Sequence, residues 1–164
     1  MKIRIAGLVN DSIVDGPGFR FSVFTQGCPH HCPGCHNPQT HDFNGGKDME
    51  TEEIVRQFSQ NPLLDGITLS GGEPFCQCDA CAELAGAAKK LGLNVWAYSG
   101  YSFEQLMEMP QARQLLQMLD VLVDGPFLME QRTLEARFRG SKNQRLIDVP
   151  ASLAAGKAVE KPEE

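Results

Sequence analysis

Cys28-Pro29-His30-His31-Cys32-Pro33-Gly34-Cys35 puts three thiols on one short loop in a CxxxCxxC spacing. Thiolates are soft ligands suited to zinc and to iron–sulfur clusters. A closed structural site takes four protein ligands, whereas three leave one metal corner open to a substrate. Two readings therefore stand on the loop alone. One is an open iron–sulfur cluster on Cys28, Cys32 and Cys35; the other is a zinc site completed by His30, His31, His36 or a remote cysteine. Gly71-Gly72-Glu73-Pro74 is the second constellation. Its glycines let a ligand approach the backbone, free amides bind a carboxylate, and Glu73 accepts bonds from an ammonium group. That combination suits the head group of an amino acid. A plain turn is the alternative for this motif by itself, but two loops at the same end of one parallel sheet favour a shared ligand.

The elements that must hold these loops follow from periodicity. Phe19 to Thr25 alternates with Phe19, Phe21 and Val23 on one face and reads as the strand that delivers the cysteine loop. Thr51, followed by Glu52 and Glu53, reads as an N-cap opening a helix to about Gln60. Gly66 to Ser70 is a short apolar strand delivering the Gly-Gly-Glu-Pro turn. Asp79 to Leu91 is an alanine-rich helix stopped by Gly92, and Leu93 to Tyr98 is the next strand. Ser102 with Gln105 forms a capping box for a helix that Pro110 ends, and a second helical piece covers Ala112 to Met118. Val121 to Val123 and Gln144 to Val149 read as the last strands. Strands alternating with helices imply parallel βα units. A complete eight-unit barrel needs about 250 residues, so this 164-residue chain is expected to form an open partial TIM-like barrel of about five or six units. One domain over residues 1–150 is expected, with a short helix and a frayed polar tail in 151–164.

Composition narrows the classes. The net charge is −6, charged residues make up 22%, and no basic block stands out, which argues against a nucleic-acid partner. The residues Met1-Lys2-Ile3-Arg4-Ile5 lack the apolar core of a signal peptide, and no stretch approaches the length of a membrane span. A cytoplasmic protein with no membrane association is the expectation. The six cysteines fall into two groups, Cys28/Cys32/Cys35 and Cys76/Cys78/Cys81. In a reducing compartment such grouping points to metal or redox chemistry and away from disulfides.

With both loops in view, the sequence resembles the radical S-adenosylmethionine (SAM) superfamily, in which CxxxCxxC holds a [4Fe-4S] cluster and GGEP binds the SAM amino group. Asp15-Gly16-Pro17-Gly18-Phe19-Arg20, His36-Asn37, Tyr98-Ser99-Gly100-Tyr101, Leu122 to Phe127 and Arg139 to Gln144 narrow the resemblance. They are similar to the glycyl-radical-enzyme activases that serve anaerobic ribonucleoside-triphosphate reductase. The resemblance implies that Cys28, Cys32 and Cys35 ligate three irons while SAM chelates the fourth. An electron from a flavodoxin-like or ferredoxin-like donor then cleaves SAM, and the 5′-deoxyadenosyl radical takes hydrogen from a glycine of the reductase large subunit. Glycine suits that step, because no side chain blocks its Cα and two amides delocalise the radical.

The same resemblance implies SAM contacts for His36 (adenine), Asn37 (sulfonium or ribose), Gly71, Gly72, Glu73 and Pro74. It makes the Asp15, Gly16, Pro17 and Gly18 loop part of the entrance for the partner's glycine, with an ordinary turn as the alternative. Two features depart from the pattern. Pro33-Gly34 stands where an aromatic is usual, and Cys76/Cys78/Cys81 is extra; helical spacing makes Cys78 and Cys81 packing residues first and metal or redox residues second. Asp124 reads equally as a cation or SAM ligand and as a cap. Arg137, Arg139, Lys142 and Arg145 form a basic stretch open to solvent, to an acidic patch on the partner or to the SAM carboxylate. An activase of another glycyl radical enzyme, such as pyruvate formate-lyase, and a non-catalytic zinc-binding module are the competing functions.

Overall fold

The computed structural model describes residues 1–30, 32–35 and 38–162. His31, His36 and Asn37 lie outside the described residues, so the expected adenine and ribose contacts do too. The chain runs β1 (Lys2–Ser12), β2 (Arg20–Thr25), β3 (Lys47–Glu50), α1 (Thr51–Ser59), β4 (Gly66–Gly71), α2 (Cys78–Lys90), β5 (Asn94–Tyr98), α3 (Phe103–Met107), α4 (Arg113–Leu116), β6 (Val121–Asp124), β7 (Arg145–Asp148) and α5 (Val149–Ala155).

All seven strands form one open sheet in the order β3-β1-β2-β4-β5-β6-β7. β2, β4, β5 and β6 are mutually parallel, while β1 runs antiparallel to both β2 and β3, and β7 antiparallel to β6. The fold is thus mixed α/β, with a parallel run of four strands where five or six βα units were expected. The shortfall has a clear cause. β1 pairs antiparallel with β2 and carries β3 on its far side, and the segment between β6 and β7 has, among the described residues, no helix longer than a single 3-10 turn.

The two faces of the sheet differ in chemistry because side chains alternate along each strand. Phe21, Val23, Ile67, Leu69, Val95, Ala97, Leu122 and Ile147 point to one face and join Ile54 and Phe58 of α1, Leu84, Ala85 and Ala88 of α2, and Leu115 and Leu116 of α4 in the main core. The other face carries Arg20, Ser22, Thr68 and Ser70, all buried, beside a smaller cluster of Trp96, Val121, Val123 and Leu146. A sheet with helices on both faces would be apolar on both. Polar groups on one face mark that face as the one that meets ligand.

Local details depart from expectation in instructive ways. Glu50, not Thr51, occupies the N-cap of α1, and the Thr51 hydroxyl donates instead to Glu83 of α2 at 2.9 Å. The Ser102–Gln105 capping box is present as read. The tail is not frayed over its described part: Asp148 N donates to Val159 O at 2.8 Å, Lys161 N donates to Leu146 O at 2.7 Å, and Glu160 bridges to Ile147. Phe19 precedes the strand and is half exposed.

Cys78 and Cys81 are buried in the main core, and Cys76 is exposed. The Cys78 thiol donates to Phe75 O at 3.0 Å. Burial pushes Cys78 up to about 11, and Cys81 still further from the thiolate form that binds metal. Packing accounts for Cys78 and Cys81. The double variant Cys78→Ala/Cys81→Ala is expected to lose on the order of 1 to 3 kcal/mol of stability in denaturant melts. Iron per chain after anaerobic reconstitution should equal that of wild type, and a reproducible loss of metal from the variant would show that these thiols are ligands.

Candidate functional site

The loops that follow β2, β4, β5 and β6 meet over the polar face of the sheet and enclose a cavity of about 460 Å³. Cys28, Cys32 and Cys35 all line it, together with Gly71 and Gly72. Placement at the carboxyl ends of parallel strands is where α/β sheets bind ligands. Cys28 is buried while Cys32 and Cys35 are half-buried. The loop is anchored at its start by Gly27 N to Thr40 O (2.6 Å) and Cys28 N to His41 O (3.1 Å), and is tightened by Cys35 N to Cys32 O (3.1 Å).

The Gly71-Gly72 pair serves a purpose that spacing did not reveal. Gly72 N donates to Thr25 O and Glu73 N to Gly27 O, both at 2.8 Å. Those two amides are therefore committed to the backbone that leads into the cysteines, and the expected use of free amides here to bind a carboxylate is corrected for them. A Cβ on Gly72 would stand 2.4 Å from Gly27 O, and one on Gly71, at φ +91°, would stand 2.6 Å from Thr25 N. Absence of side chains lets the two loops close on each other.

Glu73 is fully buried. Its carboxylate accepts from His30 Nε2 (2.6 Å), Gly100 N (2.8 Å), Ser99 Oγ (2.9 Å) and Phe75 N (3.1 Å). Pro74 is buried as the first residue of a 3-10 turn that Glu73 caps. His30, Ser99 and Gly100 are thus site residues that sequence reading missed. His30 was weighed only as a zinc ligand, and the Tyr98-Ser99-Gly100 segment only as part of a resemblance.

The Asp15 to Gly18 loop divides. Asp15 lines the cavity, and its carboxylate accepts from Ser12 Oγ and Ser22 Oγ. Gly16 is buried; Pro17 and Gly18 are exposed, with Gly18 beside Asp65 at the amino ends of β2 and β4, away from the cavity lining. Arg20 fastens this loop to the sheet: its guanidinium, fully buried, donates to Pro17 O (3.0 Å), Thr68 Oγ1 (2.8 Å), Ile67 O (2.8 Å) and Asn94 Oδ1 (3.0 Å). Burial pulls Arg20 down to about 10. At 5.6 Å it also stacks over Trp96. A Cβ on Gly16 would meet Arg20 Cδ at 2.7 Å, so glycine makes room for the arginine.

Asp124 resolves toward capping. It accepts from Phe103 N at 2.7 Å and from Arg145 Nε at 3.0 Å, which uses it structurally. Arg145 also pairs with Glu104, and Arg137 stacks over Phe138. Of the basic stretch, Arg139 lines the cavity. Phe127 approaches the Gly34 corner from the β6 side and lines the cavity with Phe138, so aromatic surface reaches the place where the Pro33-Gly34 loop lacks it.

The donor set fits an iron–sulfur cluster. Cys28, Cys32 and Cys35 bring three soft sulfur donors to one cavity, the ligand type and number of an iron–sulfur cluster with one corner left open. The cavity lined by the three cysteines, Gly71, Gly72 and Arg139 leaves room for a ligand of metabolite size.

Comparison with known proteins bears on this site. Residues 14–147 match the family described as a 4Fe-4S single cluster domain. The anaerobic ribonucleoside-triphosphate reductase-activating protein of Salmonella typhimurium is 35% identical over 140 residues, covering 80% of this chain and 90% of that protein. Its Escherichia coli K12 counterpart is 32% identical over 142 residues, covering 80% and 90%. That of Enterobacteria phage T4 is 31% identical over 139 residues, covering 81% and 86%. Among solved structures, QueE from Escherichia coli superposes with a TM-score of 0.46 at 16% identity, over 62% of this chain and 54% of that one, and a likeness this slight carries no argument.

Gly72→Ala separates loop packing from ligand approach. The added methyl meets backbone, which cannot move aside, so the cluster-free protein itself should lose on the order of 1 to 3 kcal/mol in thermal or denaturant melts. Unchanged stability with weakened SAM binding would show that the glycine serves only the ligand.

Proposed function

The chain belongs to the family of anaerobic ribonucleoside-triphosphate reductase-activating proteins, and from that premise we propose that it generates the glycyl radical of an anaerobic ribonucleoside-triphosphate reductase. It is an enzyme of the radical SAM activase type, with a [4Fe-4S] cluster and SAM as cofactors. When bound, these supply the chemistry: one electron breaks a carbon–sulfur bond of SAM, giving methionine and a 5′-deoxyadenosyl radical that takes hydrogen from a glycine Cα.

The observation that carries the reading is the convergence of Cys28, Cys32 and Cys35 with Gly71 and Gly72 on one cavity at the carboxyl ends of the parallel strands. In this reading the three thiolates hold the cluster and leave one iron for SAM. Gly71, Gly72, Glu73 and Pro74 form the wall beside the methionyl end, with Glu73 fixing that wall from behind. Arg139 offers a guanidinium to the SAM carboxylate, a pairing for which its planar fork is suited. His36 and Asn37 remain assigned to adenine and to the sulfonium or ribose.

In this scheme the sheet acts as the open wall of a partial TIM-like barrel formed by a single domain. An open edge lets a protein loop enter and bring its glycine within reach of the adenosyl carbon, which a closed barrel would prevent. In this scheme the Asp15, Gly16, Pro17 and Gly18 loop meets the reductase, with Asp15 facing the cavity and Arg20 fastening the loop to the sheet. A flavodoxin-like or ferredoxin-like protein is the electron donor in this scheme. A place in the cytoplasm belongs to the same reading; no helix among the described residues is long and apolar enough to cross a membrane.

Anaerobic protein reconstituted with iron and sulfide, mixed with SAM, a reductant and an anaerobic ribonucleoside-triphosphate reductase, should produce a glycyl-radical doublet in the electron paramagnetic resonance spectrum. Cys28→Ala, Cys32→Ala and Cys35→Ala should each abolish it, because two thiolates do not retain a site-differentiated cluster. Pyruvate formate-lyase in place of the reductase should give no signal. A colourless zinc protein, or a radical formed on pyruvate formate-lyase alone, would overturn the proposal.

A further inference from the structure

A carboxylate with no access to water is costly unless other bonds replace its hydration. Glu73 meets that condition through donors from three different loops. Phe75 belongs to its own turn, and Ser99 and Gly100 follow β5. Among the described residues, His30 is the donor that comes from the cysteine loop. One buried carboxylate thereby ties the loop of Cys28, Cys32 and Cys35 to the loop of Gly71 and Gly72 and to the end of β5.

The ring of His30 is confined as well as bonded. It packs edge-on against Tyr101 with centroids 4.5 Å apart. On another side the bare backbone of Gly100 makes room for it, since a Cβ there would stand 2.4 Å from His30 Cδ2. Its side chain is 16% exposed and lines the cavity between the cysteines and Ser99. The Nε2 nitrogen, engaged on Glu73 at 2.6 Å, is directed at a carboxylate and is not offered to a metal.

We propose that His30 is a positioning residue for SAM. By donating to Glu73 it sets where the cysteine loop stands relative to Gly71, Gly72, Ser99 and Gly100, and hence where the open corner of the cluster meets the wall for the methionyl end. The backbone tie between Gly27 and Glu73 fixes only the start of the cysteine loop; His30 fixes its middle, between the first and second ligands. This inference rests on the reading of Cys28, Cys32 and Cys35 as cluster ligands with SAM at the open corner.

Two substitutions test it in the full-length, cluster-loaded protein. His30→Leu keeps a side chain of similar bulk without a donor, and His30→Gln places an amide N–H near the position of Nε2. Iron and sulfide per chain should match wild type in both. SAM affinity, measured by equilibrium dialysis and by the change SAM induces in the spectrum of the reduced cluster, should fall about tenfold or more in His30→Leu. The KM for SAM cleavage with dithionite should rise in step while kcat stays within about twofold. His30→Gln should recover most of the affinity. A Leu variant that binds SAM as wild type does, or a Gln variant as weak as Leu, would overturn the role. Loss of iron from His30→Leu would also overturn it, by assigning the histidine to the cluster itself. Failure of wild type to hold a cluster and SAM would be a different result, sinking the underlying functional reading and this inference with it.

Discussion

The near contact of two backbones, Gly72 against Gly27, governs how everything else in the site can be arranged. Strands β2 and β4 lie in register as far as Thr25 and Gly71, and the chain then turns out of the sheet at both. Most residues would force the two turns apart. With hydrogens in place of side chains, Gly72 N and Glu73 N reach Thr25 O and Gly27 O, so the ladder extends past the end of the sheet. The thiols of one loop and the carboxylate of the other are brought together by main-chain bonds, which hold position more firmly than a meeting of long side chains.

The polar face of the sheet repeats the principle. Arg20, Ser22, Thr68 and Asp15 satisfy one another and nearby carbonyls. Such a network is stable only when every member has its partners. It fixes the floor of the cavity without contributing bulk, while the apolar face takes the helices and supplies most of the burial. Stability and ligand binding are thus divided between opposite sides of the same strands.

Legibility in the sequence followed the same division. Strands with one apolar face, such as β2, β4, β5 and β6, and the Ser102–Gln105 box were readable because a short-range pattern determines them. The three cysteines were readable because their spacing is chemistry in itself. β1 was not: beyond Ile3 and Ile5 its residues are largely exposed or half-buried on both faces, and its two irregularities break the alternation. His30 and the committed amides of Gly72 and Glu73 were not readable either. Their roles depend on which carbonyl or carboxylate stands opposite, 43 residues away for the His30–Glu73 bond. The antiparallel course of β7 likewise depends on a long irregular return that carries no periodic signal.

The pairing of the tail on β7 has a consequence for how this molecule can associate. An unpaired edge is a template on which a foreign strand can crystallise out. Here the chain's own residues 159–161 occupy hydrogen-bonding positions along β7. At the opposite margin, β3 presents Lys47, Asp48 and Glu50 to solvent, and neighbouring charges discourage the same kind of annexation. Neither border of the sheet invites an added strand, so recognition between this protein and another is directed to side chains and loop surfaces, where the identity of the partner can be read.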